Sequence, residues 1–113
     1  MVDDCLFCRI VAGEISAEVV HSSDRVVAFR DLAPQAPTHV LVVPREHHRD
    51  AASLAAADPA TSAELVTAAA AIVAAEGHTD YRLVFNTGAD AGQTVFHTHL
   101  HVLGGRSLTW PPG

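Results

Sequence analysis

Cysteine is scarce in this 113-residue chain: Cys5 and Cys8 are the only two, too few for a disulfide framework. Cationic side chains are few as well. Seven Lys and Arg stand against thirteen Asp and Glu, a formal net charge of −6, which excludes the broad basic surface that long DNA or RNA requires. A small anionic ligand needs only locally placed donors and stays open. No apolar run approaches the roughly 20 residues of a membrane span. The start "MVDDCLFC" is acidic and lacks the basic and apolar regions of a signal peptide. A cytoplasmic protein without membrane attachment is expected. No linker, charge block or internal repeat divides the sequence, and a 49% hydrophobic composition suits one domain, 1–113, with a C-terminal tail at 104–113.

What is present falls into alternating and helical patterns. "CLFCRIVAG" (Cys5 to Gly13) has apolar residues at helical spacing and stops at a glycine. "AEVVHSSDRVVAFRD" reads as two strands around Ser22-Ser23-Asp24, and "PTHVLVVP" as a β-branched strand between prolines. From Asp50 to Gly77 the chain is Ala-rich. Asp58-Pro59 offers an N-cap followed by Pro at the first helical position, Leu65, Ile72 and Val73 lie near one face, and Gly77 is a stop. "YRLVFN" is another strand, and "TGADAGQ" is a loop. The expectation is an α+β domain: an antiparallel five-stranded sheet with a short N-terminal helix and one longer Ala-rich helix.

The stretch "QTVFHTHLHVLGG" (Gln93 to Gly105) carries the chemistry. His97, His99 and His101 recur at two-residue spacing with Leu100 and Val102 among them. In an extended strand this puts the imidazoles on one face, about 6.6 Å apart at about 3.3 Å rise per residue. Imidazole suits nucleophilic, acid–base or metal chemistry near neutral pH. His47, Asn86, Thr94 and Asp31 sit at strand ends or loops that such a fold can bring near the histidines; a turn-forming role for Asp31 is equally open. His21, His39 and His78 receive no catalytic role.

The run His97-Thr98-His99-Leu100-His101-Val102-Leu103 resembles the signature of the histidine triad (HIT) superfamily. "FRDLAPQAPTHVLVVPREH", "GQTVFHTHLHVLGGR" and the terminal "WPPG" resemble its Hint branch, the nucleoside phosphoramidate hydrolases. The resemblance implies transfer of a nucleotidyl group from a purine nucleoside 5′-phosphoramidate, or a related mixed phosphate, onto His99 and then onto water. It implies that His101 and the backbone of Gly92, Gln93 and Thr94 hold the phosphate, with His97 orienting the site. Thr94 stands where the family commonly has Ser, whose hydroxyl meets the leaving group. Asp31 would hold the ribose, Phe7, Ile10, Phe29 and Leu32 would line the base pocket, Val95 would bind substrate, and Asn86 would support the phosphate side. Arg30 replaces a His common in animal Hint proteins, so a more basic pocket rim is expected. Thr98 replaces an apolar residue without expected consequence. Hint relatives pair through a continuous sheet, so a homodimer is expected, with Trp110 in the tail as a packing residue.

"CLFC" has three readings. A redox pair is disfavoured because no strand precedes it. Two thiolates with two imidazoles complete a tetrahedral structural zinc site; by resemblance to bacterial HIT proteins the partners are His47 and His97, with His48 as the alternative if the register differs by one. Two ordinary buried thiols are the third reading. No organic cofactor is expected. Two other functions compete with nucleotidyl transfer: a metal-dependent hydrolase using the triad as ligands, and a non-catalytic nucleotide-binding regulatory module.

Overall fold

The structure is a computed structural model that describes Val2 and residues 4–113 of the chain. Five strands form one antiparallel sheet in the order β1-β2-β3-β5-β4: β1 Val19–Ser22, β2 Val26–Arg30, β3 Thr38–Pro44, β4 Tyr81–Val84 and β5 Leu100–Gly104. Helix α1, Leu6–Val11, covers one face, and α2, Ala51–Ala57, and α3, Pro59–Ala75, lie behind the other. The α+β expectation is met, with an addition: the Ala-rich stretch contains two helices. Asp50 and Asp58 each accept a backbone hydrogen bond three residues on, from Ser53 and Thr61, so each starts its own helix. Gly77, at φ +84°, ends α3 in the left-handed conformation that glycine tolerates.

Period-two alternation sorts the residues of the central strands between two cores. Val26, Ala28, Val40, Val42, Leu100 and Val102 face the back, where they pack with Leu54 of α2 and with Leu65, Ala68, Ala69, Ile72 and Val73 of α3. Two alanines on the contact face of α3 let its backbone approach the sheet. Val27, Phe29, Leu41 and Val43 face the front and pack with Cys5, Phe7 and Cys8. No helix among the described residues is long and apolar enough to cross a membrane.

Strand pairing of β5 begins only at Leu100, opposite Val42. His97 and His99 therefore precede the strand that the spacing predicts they share, and only His101 lies within it. The reason is that the segment at Thr98 is drawn to another partner. Thr98 N–H and Oγ1–H both donate to the His48 carbonyl, at 2.7 and 3.0 Å, so Thr98 is not the inert replacement expected of it.

Leu65 is fully buried between α3 and the sheet. Truncating such a side chain costs about 2–5 kcal/mol from lost burial and the cavity left behind. Leu65→Ala is expected to lower unfolding stability by that amount in urea denaturation; a loss below about 1 kcal/mol would show that the α3 contact is not the packing centre described.

Candidate active site

Register brings the front-face residues together. His101 lies opposite Leu41 and His39 opposite Leu103, so His39 and His101 are diagonal neighbours on one face. Asp31 N–H donates to the His39 carbonyl at 3.0 Å, which carries the β2–β3 ladder one step beyond Arg30. The result is a line across three strands. His39 Nε2 lies 2.9 Å from His101 Nδ1 and 3.4 Å from Asp31 Oδ2.

Backbone groups decide where the protons of these rings sit. The Gln35 amide donates to His39 Nδ1 at 3.0 Å, so in the neutral ring the proton is on Nε2. That N–H donates to His101 Nδ1, which places the His101 proton on Nε2. His99 is oriented the other way. Its Nδ1–H donates to the His97 carbonyl at 2.8 Å, leaving the Nε2 lone pair free. Phe7 meets the His99 ring edge-to-face at a centroid distance of 4.9 Å, and the His99 and His101 centroids are 5.1 Å apart. Burial, with the neighbouring His99 and His39, pushes His101 down to about 4, and burial also lowers His39. Both stay neutral at pH 7, as the proton order requires.

His97 belongs to a second group. Its Nε2–H donates to the Pro44 carbonyl at 2.8 Å, and its Nδ1 lies 3.5 Å from Cys5 Sγ, 3.4 Å from Cys8 Sγ and 3.2 Å from His47 Nδ1. Cys8 Sγ is 3.3 Å from His47 Nδ1. A tetrahedral zinc with Zn–S of about 2.3 Å and Zn–N of about 2.0–2.1 Å separates its donors by about 3.3–3.8 Å, so the spacing and the donor set both fit. The Pro44 contact fixes the tautomer a ligand needs. Burial pushes His97 down to about 4 and lowers His47, keeping both in the ligand-competent neutral form. His48 lies outside this cluster.

Beside His99, a cavity of about 220 Å³ is lined mainly by Phe7, Ile10, Phe29, Leu41 and Val95, with Asp31 at its border. It is smaller than the roughly 300–1,000 Å³ that encloses a whole drug-sized ligand, and suits a flat ring. Leu32 also borders it although fully exposed. Asp31 Oδ1 accepts the Ala33 amide at 2.8 Å, a turn contact that fixes the carboxylate without exhausting its lone pairs. Thr94 instead lines a neighbouring cavity of about 410 Å³ with Arg49 and Phe96. Asn86 abuts Gly92, where an added Cβ would come within 3.7 Å of Asn86 Nδ2 and where φ is +96°.

Three expectations require correction. Arg30 borders the base-sized cavity, but its guanidinium pairs with Glu18 at 2.8 Å and Glu76 at 2.6 Å, so no basic rim forms. Gln93 is buried, and its side chain staples the loop: Nε2 donates to the carbonyls of Arg49 and Val95, and Oε1 accepts the Gly88 amide. Its own amide donates to the Gly88 carbonyl, and the Gly92 amide to the Ala89 carbonyl, so these N–H donors are already engaged. His39, given no role from the sequence, is the link between Asp31 and His101. Its signal was the alternation of β3, which puts His39 on the face of Leu41 and Val43.

The comparisons agree with this fold. The HIT domain matches residues 12–108. The chain is 47% identical to an uncharacterized HIT-like protein of Synechococcus elongatus over the full length of both. It is 39% identical to the purine nucleoside phosphoramidase of Escherichia coli K12, covering 96% of this chain and 92% of that one. The crystal structure of a HIT family hydrolase from Legionella pneumophila superposes with a TM-score of 0.92 at 46% identity, over 97% of this chain and 100% of the other. With the family's domain spanning most of the chain and its fold reproduced throughout, the protein belongs to the histidine triad family.

Proposed function

We propose that this protein hydrolyses purine nucleoside 5′-phosphoramidates, or related mixed nucleoside phosphates, through a nucleotidyl-His99 intermediate. The observation that carries the reading is the opposed proton placement on adjacent rings. His99 presents an unprotonated Nε2 and His101 a protonated one, next to a base-sized apolar cavity bordered by a carboxylate. His99 Nε2 attacks phosphorus as the P–N bond breaks and the amine leaves with a proton taken from solvent; water then displaces His99 from phosphorus and returns a proton to solvent, so the net reaction consumes one water. Splitting one displacement into two in this way is the gain of covalent catalysis. His101 Nε2–H donates to a nonbridging oxygen as charge develops there. Asp31 accepts from the ribose hydroxyls, and Phe7 and Phe29, edge-to-face at 5.5 Å, pack against the base. The 39% identity to a purine nucleoside phosphoramidase supports the substrate class.

The metal-hydrolase reading is less well supported. His97 Nδ1 turns toward the sulfurs and His99 Nδ1 is engaged by a carbonyl, so the three rings do not converge. The atoms of Asp31, His39 and His101 do cluster. However, the Gln35 amide occupies the His39 Nδ1 lone pair, and metal ligation through Nε2 would require an imidazolate.

The Cys5, Cys8, His47 and His97 cluster is proposed as a structural zinc site, in which the ion would tie α1 to the segment before β5. Protein purified without added metal is expected to contain about one zinc per chain by elemental analysis, and chelation is expected to lower its melting temperature. Metal-free protein with both thiols freely titratable in the native state would overturn this.

A homodimer through β4 is also proposed. The edge strand β4 carries exposed Tyr81, Phe85 follows it, and Trp110 of the tail is 82% exposed. Unpaired edges and large exposed aromatics favour a partner surface. Light scattering at micromolar concentration is expected to give twice the chain mass of 11.9 kDa; a monomer would contradict it.

The catalytic proposal is tested on His99. His99→Ala is expected to lose several orders of magnitude in turnover while retaining fold and nucleotide affinity, because the lost interaction forms in the transition state. Rapid quench of the wild type should trap protein heavier by one nucleotidyl unit on the peptide containing His99. The same adduct at full yield in His99→Ala would refute the assignment, and a wild type without any turnover would leave the regulatory-module reading.

A further inference from the structure

The end of α3 carries a charge of the wrong sign. Glu76 is the C-cap residue, where the helix dipole favours a cation. Its partners account for it. Glu76 Oε2 accepts from Arg30 Nη2 at 2.6 Å and Oε1 from Arg30 Nη1 at 3.3 Å, a forked pairing. Oε1 also accepts the hydroxyl of buried Thr38 at 2.7 Å, and that hydroxyl accepts in turn from His78 Nε2 at 2.8 Å. These bonds hold the Glu76 carboxyl below its ordinary range, Arg30 first and Thr38 second.

The positions of Arg30 and Thr38 give the network its meaning. Arg30 is the last residue of β2 and Thr38 the first of β3. Each is followed by a residue of the front face, Asp31 and His39. The connecting residues 32–37 bond to both, Ala33 N–H to Asp31 Oδ1 and Gln35 N–H to His39 Nδ1, and one backbone bond, Asp31 N–H to the His39 carbonyl, joins the strand ends. From behind, Glu76 spans the same strand ends by holding Arg30 and Thr38 at once.

We infer that Glu76 is a positioning residue for the nucleotide site: by bridging Arg30 and Thr38 behind the sheet, it sets the separation and tilt of Asp31 and His39 in front, and so the ribose contact. This inference rests on the nucleotide reading given above. It makes Arg30 a determinant of the site through its ion pairs instead of through a basic rim, and it makes the end of α3 part of ribose recognition although no atom of α3 borders the base-sized cavity.

The test measures adenosine 5′-monophosphate and its 2′,3′-dideoxy counterpart by calorimetry on the wild type, Glu76→Ala, Glu76→Gln and Asp31→Ala. A residue acting through others shifts affinity modestly, so Glu76→Ala is expected to weaken the ribonucleotide about three- to thirtyfold and the dideoxy nucleotide by less than about twofold. Glu76→Gln, which keeps an acceptor for Thr38 but loses the forked ion pair to Arg30, is expected to recover only part of the ribonucleotide affinity. General loosening of the fold would weaken both ligands alike. Equal losses for the two ligands, or no loss in Glu76→Ala while Asp31→Ala abolishes the ribose preference, would overturn the positioning role. A wild type that binds both ligands equally, with Asp31→Ala unchanged, would overturn the ribose reading itself and this inference with it.

Discussion

A neutral imidazole carries one proton, and everything this site can do follows from which nitrogen holds it. Three backbone groups make that choice. The Gln35 amide fixes His39, the His97 carbonyl fixes His99 and the Pro44 carbonyl fixes His97; His101 is then fixed through His39. Reversing any one of these tautomers leaves a buried donor or acceptor unpaired, which costs about 1–3 kcal/mol. The arrangement is therefore set by the fold before a substrate arrives. It needs the β3–β5 register that makes His39 and His101 diagonal neighbours, and it needs the β2–β3 opening at the width that lets Asp31 face His39.

Neutrality of His39 and His101 bears on the anionic substrate proposed above. The net charge is −6 and Arg30 is already paired with Glu76, so neither the overall field nor Arg30 supplies a cation to the proposed phosphate site. N–H dipoles from a neutral His101 bind a ground-state phosphate less strongly than an imidazolium would. They gain as charge builds on the nonbridging oxygens, and only interactions that strengthen in the transition state raise turnover. Burial is the largest cause of the lowered His101 value, so the packing of the front face is what keeps this ring neutral.

Local chemistry was legible in the sequence, and cross-strand chemistry much less so. Asp58-Pro59, Gly77 and the prolines around β3 mark their elements because caps and breakers act within a few residues. The spacing of His97, His99 and His101 and the pair Cys5-Cys8 marked residues that the fold gathers on the front face, yet the spacing alone misplaced the start of β5. What draws Thr98 out of the ladder is the His48 carbonyl, fifty residues away, and no periodicity contains that information. The same holds for Arg30, whose partners are the distant Glu18 and Glu76. Gln93 sits among residues of a nucleotide loop and looks like a ligand; only the fold reveals that both ends of its amide are already engaged. His39 was within reach of sequence reasoning, since strand alternation gave its face, but its distance from the triad in the chain concealed the contact.

His97 joins the two halves of the front face. Its ring points into the group formed by Cys5, Cys8 and His47, while its carbonyl takes the proton of His99. A shift of the ring toward or away from the sulfurs would disturb the carbonyl that accepts from His99 Nδ1–H, and with it the hydrogen bond that sets the His99 tautomer. The cysteines of α1 thereby bear on the orientation of the His99 ring without touching it. Phe7, between Cys5 and Cys8 on the same helix, packs against both His97 and His99 at 6.1 and 4.9 Å between centroids, so α1 constrains the nucleophile from a second side. Seating that six-residue helix, too short to persist alone, is the physical requirement for an ordered His99.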